Sequence, residues 1–451
     1  MKQIKFLLIN PPIYDFSAYD LWLKPLGLLT IASALKNTGA HVSLLDCLDR
    51  NHPGGKDQIP GLPHRARPQK WGCGHYLVAK VEKPPALKAL PRLYKRYGIS
   101  PQALKDSLLR TGPVDAILVT SGMTYWYPGV QEVIAAVRGQ YTSAPVLLGG
   151  IYATLCTDHA RRFSGADRVI AGGRIADLFS ALTSLGLGAD EKQAPAEFPS
   201  YPPPAYELYP LLDSAAIRTT RGCPFSCTYC AVHALSGTGW ERKQPSIAAA
   251  EIRQLYSRGI RDIAFYDDAL LAQAESHIIP LLEEVAATCP GTRLHTPNGL
   301  HARYLSRPIA NLMKRSGFTI PLISLETAMP QAQENTGGKV SNEHFISACE
   351  NLKAEGYRKG EYATYLLAGI PGQEPEEVEG SIHFAHSQGA KVSLAEYSPL
   401  PGTRDWDTAK VMLPGDDPLW HNNSLFPAYC LPKWQKLQRL KDLARSLNSR
   451  F

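Results

Sequence analysis

The chain has 451 residues, nine cysteines and a formal net charge of +7. That length predicts two or three domains, and a hydrophobic share of 44% excludes a disordered chain. No run reaches the ~18 apolar residues of a membrane span, and the opening residues carry too short an apolar core for a signal peptide, so a cytoplasmic protein with reduced cysteines is expected.

Strand patterns fall at residues 4–10, 41–47, 115–120, 145–148 and 168–171. Helical patterns at 26–37, 130–138, 158–163 and 175–185 alternate with them, which predicts a doubly wound, Rossmann-like parallel sheet over residues 1–190. Ligands of such sheets bind beyond the carboxyl ends of the strands. Those ends carry Asn10-Pro11-Pro12, Thr120-Ser121-Gly122, Gly149-Gly150 and Gly172-Gly173. Glycine there lets a bulky ligand approach the backbone, although plain chain turns use it equally.

Residues 50–112 interrupt this series. They hold 13 Lys and Arg against three acids, a local +10 that leaves the remainder of the chain at −3. A helical pattern is expected at 85–97. The basic insertion reads as a solvated helical excursion, as a wall for an anionic ligand, or as a docking face for an acidic electron donor; no nucleic-acid motif accompanies it. Residues 191–213, with Tyr201-Pro202-Pro203-Pro204, read as a stiff linker.

A second alternating series spans 214–397. Strand patterns at 216–220, 262–266, 293–296, 322–326, 363–368 and 391–396 are separated by helical ones at 247–258, 274–287, 302–316, 342–355 and 376–386. Six such units predict a partial (β/α)6 parallel barrel of the TIM type, with functional residues at the strand C-termini. Residues 398–451 form a short C-terminal extension ending in a basic helix.

The most specific signal follows the first barrel strand. Arg221-Gly222-Cys223-Pro224-Phe225-Ser226-Cys227-Thr228-Tyr229-Cys230 places three cysteines at C-x-x-x-C-x-x-C spacing. Three thiolates on one loop suit one face of a 4Fe-4S cube and leave one iron open to another ligand. The competing reading is structural zinc, with His233 as a fourth ligand.

The motif, its position and the aromatic Tyr229 before the last cysteine resemble the radical S-adenosylmethionine (SAM) superfamily over residues 214 to about 403. That resemblance implies a 4Fe-4S cluster on Cys223, Cys227 and Cys230, with SAM chelating the fourth iron and cleaved by one electron to a 5′-deoxyadenosyl radical. It further implies SAM contacts at Tyr229, at Asp267 and Asp268 (amino group), at Ser324 and Glu326 (ribose), and at Gly369 and Pro371 of Gly369-Ile370-Pro371-Gly372-Gln373 (adenine). Helix capping competes for the two aspartates, ordinary barrel polarity for Ser324 and Glu326, and a plain turn for Gly369.

The preceding sheet resembles the cobalamin-binding class of this superfamily. That likeness implies cobalamin contacts at Asn10, Pro11, Pro12, Ser121, Gly122, Gly149, Gly150, Gly172 and Gly173. One departure is clear: the D-x-H-x-x-G motif of histidine-ligated corrinoid domains is missing, because Asp15 is followed by Phe16 and Ser17. Tyr125, Trp126, Tyr127, His52, His64 and His75 remain as unplaced substitutes. The combined expectation is a cobalamin-dependent radical SAM enzyme that functionalises an unactivated carbon, by C-methylation or by cyclisation, rearrangement or oxidation. Its implied partners are a small-molecule substrate, anionic if the insertion lines the site, and an electron donor such as flavodoxin or ferredoxin. A zinc-stabilised binding module is the reading from a different class.

Overall fold

The computed structural model describes residues 3–55, 70–88, 90–187, 191–430 and 434–451. Their packing divides the chain into one unit of Met1–Asp213 with Gly415–Trp420, and a second of Ser214–Pro414 with His421–Phe451.

Among the described residues, eight strands lie in the first unit: β1 (Lys5–Asn10), β2 (Ile13–Asp15), β3 (His41–Asp46), β4 (Val78–Lys80), β5 (Lys95–Tyr97), β6 (Ala116–Val119), β7 (Val146–Leu148) and β8 (Arg168–Val169). Five of them form a parallel sheet in the order β3-β1-β6-β7-β8. Phe6, Leu7, Leu8 and Ile9 of β1 are all buried, as are Ile117, Leu118 and Val119 of β6. Continuous apolar runs of this kind belong to strands covered on both faces. Leu28, Leu35, Leu178 and Phe179 from two flanking helices complete the core. The strand order reverses between β1 and β6, which makes their carboxyl ends the topological switch point of the sheet.

The insertion departs from the expected helix. The described residues between 85 and 97 form a short 3-10 turn at Pro85–Leu87 and then β5, which pairs antiparallel with both β2 and β4. Pro84, Pro85 and Pro91 oppose a continuous helix. Leu87, Leu90, Tyr94 and Tyr97 are buried, so the segment is packed rather than solvated. Asp20, fully buried, accepts from Arg50 Nε (2.9 Å) and Leu23 N (2.8 Å), and its backbone bridges Gly74, which fastens the insertion to the loop after β2. His64 lies outside the described residues. The segment read as a linker packs as part of this unit: Phe198, Ala205, Tyr206 and Tyr209 are buried, and Ala205 N donates to Leu29 O at 3.1 Å.

The second unit holds β9 (Ala215–Ile217), β10 (Thr220–Arg221), β11 (Glu241–Arg242), β12 (Asp262–Phe265), β13 (Arg293–His295), β14 (Leu322–Glu326), β15 (Ala363–Ala368) and β16 (Lys391–Glu396). Six are parallel, arranged as β9-β12-β13 and β14-β15-β16. Parallel bridges Leu294↔Phe318 and Leu300↔Ile323 join the two halves. This is the open six-stranded barrel expected from the alternating pattern. Its exposed edge at β16 is covered by the last helix, Trp434–Asn448, whose Asn448 side chain exchanges two 2.8 Å hydrogen bonds with the Val392 backbone. Among the described residues, no helix is long and apolar enough to cross a membrane.

Candidate active site

The cysteine loop leaves β10 at Arg221 and is fixed before its first sulfur. Asp267, at the end of β12, is 2% exposed. Its Oδ1 accepts from Thr219 N (2.9 Å), Thr219 Oγ1 (2.7 Å), Thr220 N and Thr220 Oγ1 (2.8 Å). Burial pushes this carboxyl up to about 6, against the lowering effect of those donors. Oδ2 is buried with no partner. Asp268 Oδ2 accepts from Gly222 N at 3.0 Å. Both aspartates therefore hold the stem of the loop, and neither caps the following helix. Gly222 (φ +81°) is required sterically, because a Cβ there would lie 2.0 Å from Gly239 O.

Two distant segments grip the rest of the loop. Thr228 N donates to Thr336 O (3.2 Å), and Gly337 sits so close that a Cβ would reach Ser226 O at 3.0 Å. Arg404 donates to Ser226 O, and Asp405 N donates to Thr228 O at 3.0 Å. The three cysteines are buried or nearly so. Burial raises all three thiols, Cys223 to about 11, so thiolate ligation has to displace protons. The compensating cation is Lys339. Burial alone would lower its pKa, but Glu326 and the Cys227 sulfur outweigh that and raise it. Lys339 Nζ lies 2.6 Å from Glu326 Oε1, with both side chains largely buried. The donor set, three thiols on one pinned loop beside a buried ammonium, fits an anionic iron–sulfur cluster. It fits one zinc less well. His233 Nε2, the expected fourth ligand, is engaged with the Cys223 carbonyl at 3.0 Å.

The remaining barrel residues expected at the site divide by hydrogen bonding. Ser324 Oγ is buried without a partner. Glu326, by contrast, is committed to Lys339 and holds φ +60° at an irregularity of β14 between Ser324 and Glu326. The Tyr229 hydroxyl hydrogen-bonds the Cys227 thiol, and its ring packs against the cluster of Tyr397, Ala409 and Phe426. Gly369 (φ +93°) faces the Pro427 ring, 2.8 Å from where a Cβ would stand, so packing within the unit already requires glycine there. Gln373 Oε1 accepts from Gly369 N (2.8 Å), which fixes the turn that contains Pro371.

At the first unit's strand ends most of the expected residues have internal partners. Asn10 Nδ2 donates to Asp46 Oδ1 (2.7 Å), and Pro11 and Pro12 are buried. Ser121 Oγ donates to Gly149 O (2.6 Å). Gly122 lies against the Trp126 ring, and Gly150 (φ +94°) against the Ser121 backbone. Gly172 N donates to Thr154 Oγ1 (3.1 Å), and Gly173 is exposed. Gly149 has room: a Cβ there would lie 3.8 Å from its nearest neighbour, Ile170 O. Asp15, where the histidine motif would begin, accepts from Phe16 N (2.7 Å) and Trp126 Nε1 (2.8 Å). His52 has both ring nitrogens engaged, by Gly54 N and Ser107 Oγ. Tyr127 donates to Asp417, Tyr125 is buried, and His75 is exposed beside Tyr19.

Sequence reasoning did not single out His301, which stands 3.9 Å from Cys223 Sγ, nor Lys339, Arg404 and Asp405 around the loop. Asn298-Gly299, just ahead of His301, was the nearest available signal.

Comparison with known proteins gives a consistent result. Residues 217–385 match the family described as the radical SAM superfamily. An uncharacterized methyltransferase of Pyrococcus horikoshii is 26% identical over 46% of this chain and 46% of its own length. A threonylcarbamoyladenosine tRNA methylthiotransferase of Thermotoga maritima is 21% identical over 61% of this chain and 64% of its own. The hopanoid C-2 methylase of Rhodopseudomonas palustris is 25% identical over 65% and 57%. The chain thus spans about half to two thirds of these relatives. Among solved structures, the radical SAM methyltransferase TsrM from Kitasatospora setae, with cobalamin and a [4Fe-4S] cluster bound, has a TM-score of 0.64 at 16% identity. That likeness covers 91% of this chain and 78% of TsrM. The cobalamin-dependent enzyme OxsB has a TM-score of 0.59 at 12% identity, over 90% and 55%. The two structural likenesses establish the fold.

Proposed function

We propose that this chain, which carries a radical SAM domain over residues 217–385, is a cobalamin-dependent radical SAM enzyme that methylates an unactivated carbon. The observation that carries the reading is the pinned loop of Cys223, Cys227 and Cys230 directly after the first strands of a six-stranded parallel barrel. The fold likeness to cobalamin-dependent methyltransferases and the methyltransferase relatives support the rest.

In this reading the three thiolates hold a 4Fe-4S cluster, which supplies one electron to SAM, while cobalamin supplies the methyl group. The chain's own residues prepare the site. Asp267 and Asp268 fix the loop stem, Lys339 offsets the thiolate charge, and Ser324 offers its unpartnered hydroxyl to the SAM ribose. Asp268 has a second carboxyl oxygen for the SAM ammonium. The open backbone at Gly149, near the sheet's carboxyl edge, suits close approach of a corrinoid. Asp15, followed by Phe16 and Ser17, stands where histidine-ligated domains begin their motif, so cobalt is expected without a protein imidazole.

The substrate is a small molecule, and the basic insertion favours an anionic one. An electron donor such as flavodoxin or ferredoxin completes the cycle.

Anaerobic purification and reconstitution test the proposal. About four irons and four sulfides per chain, one cobalt, and product heavier by one methyl are expected. One zinc with no iron would overturn it. Deoxyadenosine formation with no methyl gain would replace methylation with cyclisation, rearrangement or oxidation.

A further inference from the structure

We infer that His301 donates a hydrogen bond to the Cys223 sulfur and thereby sets how readily the cluster on this loop accepts an electron. The inference rests on the function proposed above. His301 Nε2 lies 3.9 Å from Cys223 Sγ, a long contact but one to a large acceptor in a buried setting: the imidazole is 6% exposed and the cysteine 7%.

The surroundings select the tautomer. Nδ1 is buried without a partner. A proton on Nδ1 would orphan a buried donor, whereas a proton on Nε2 leaves only a lone pair unsatisfied and turns the N–H toward sulfur.

The backbone holds the ring in place. Leu300 bridges Ile323 of β14, with Leu300 N donating to Leu322 O (2.6 Å) and Ser324 N to Leu300 O (2.8 Å). The His301 carbonyl accepts from Tyr304 N at 3.0 Å. Its ring packs against Phe225 of the cysteine loop, 5.0 Å between centroids, and edge-on to Tyr304. The donor is thus built into the barrel rim and aimed at Cys223 by the packing of the fold itself.

A hydrogen bond to a ligand sulfur stabilises the more negative, reduced cluster and raises its potential. His301 is a positioning residue in this scheme, acting through Cys223.

The test uses reconstituted wild type, His301→Phe and His301→Gln. Phe keeps the aromatic packing without the donor, and Gln keeps an N–H. Midpoints are read by EPR-monitored titration, and exchangeable protons near the cluster by ENDOR in deuterated buffer. His301→Phe should reduce about tenfold less favourably, about 59 mV more negative for one electron, and lose one exchangeable coupling; His301→Gln should recover most of both. A His301→Phe protein with the wild-type midpoint and coupling overturns the inference. If His301→Phe takes up no iron, His301→Gln decides: a retained coupling supports the donor, and a lost coupling at an unchanged midpoint refutes it. A wild type that takes up no iron overturns the proposed function and the inference together, whereas an unchanged midpoint overturns the inference alone.

Discussion

The rim of the barrel and the carboxyl edge of the first sheet were expected to bind cofactors on similar grounds, yet they differ in how their polar groups are satisfied. At the barrel, Asp267 Oδ2, Ser324 Oγ and His301 Nδ1 are buried without partners. At the sheet edge, Asn10 and Ser121 have close internal partners, and Gly122 and Gly150 are required by their neighbours. Unsatisfied buried groups are costly and rare, so their concentration around the cysteine loop marks a place shaped for a ligand. The sheet edge offers space at Gly149 and little polar demand, which suits a ligand held by shape and backbone approach.

This contrast can be broken experimentally. The largest effect is expected from Cys227→Ala: iron content should fall to near zero while cobalt binding persists, as measured by metal analysis of one preparation. Full iron loading would reject the ligand assignment. Next come paired glycine changes. Gly150→Ala puts a Cβ 2.3 Å from Ser121 O at a left-handed φ, and should lower stability by roughly 3 kcal/mol. Gly149→Ala should stay within about 0.5 kcal/mol in urea unfolding yet weaken cobalamin binding. Equal stability losses would erase the distinction between a packing glycine and an approach glycine.

Asp267 gives a pH signature. Its folded pKa is about 6 against an ordinary 3.8, so the folded state binds the proton more tightly between those values. Its contribution to stability is therefore greatest at low pH and declines as pH rises from 3.8 to 6, by at most about 3 kcal/mol. Asp267→Asn should flatten that decline in urea midpoints taken from about pH 4 to about pH 7. An unchanged slope would mean the carboxyl titrates normally. The smallest stability effect belongs to Ser324→Ala. Removing an unpartnered hydroxyl should leave unfolding unchanged within about 0.5 kcal/mol but weaken SAM binding roughly tenfold, by equilibrium dialysis. Unaltered SAM affinity would remove Ser324 from the ribose contact.

Local patterns carried much of this architecture. The parallel strands were readable because buried strands are continuous apolar runs, and the cysteine loop because its spacing is confined to eight residues. Features made by distant partners were not. Lys95-Arg96-Tyr97 looked helical until paired with Ile13-Tyr14-Asp15, a partner 80 to 84 positions away in the chain. Residues 191–213 looked like a tether because proline and turn residues dominate, yet Phe198, Tyr206 and Tyr209 are buried. Gly369 read as an adenine contact, while Pro427 supplies a sufficient reason for glycine. His301 carries no local mark; only the return of the chain onto β14 brings it to Cys223.

The grip of Arg404 and Asp405 on the cysteine loop has a consequence for biosynthesis. Arg404 reaches Ser226 across 178 positions of sequence, so a growing chain exposes its three thiols long before it owns the residues that hold them in place. Because contacts so distant in sequence close late, the loop should reach its final shape only after residues 404 and 405 have been made, and iron delivery would then follow the clamping rather than nucleate it. Nascent chains stopped before residue 404 would carry the same cysteines in an unclamped loop open to oxidants, which gives a reason for strictly anaerobic, slow expression to raise cluster occupancy.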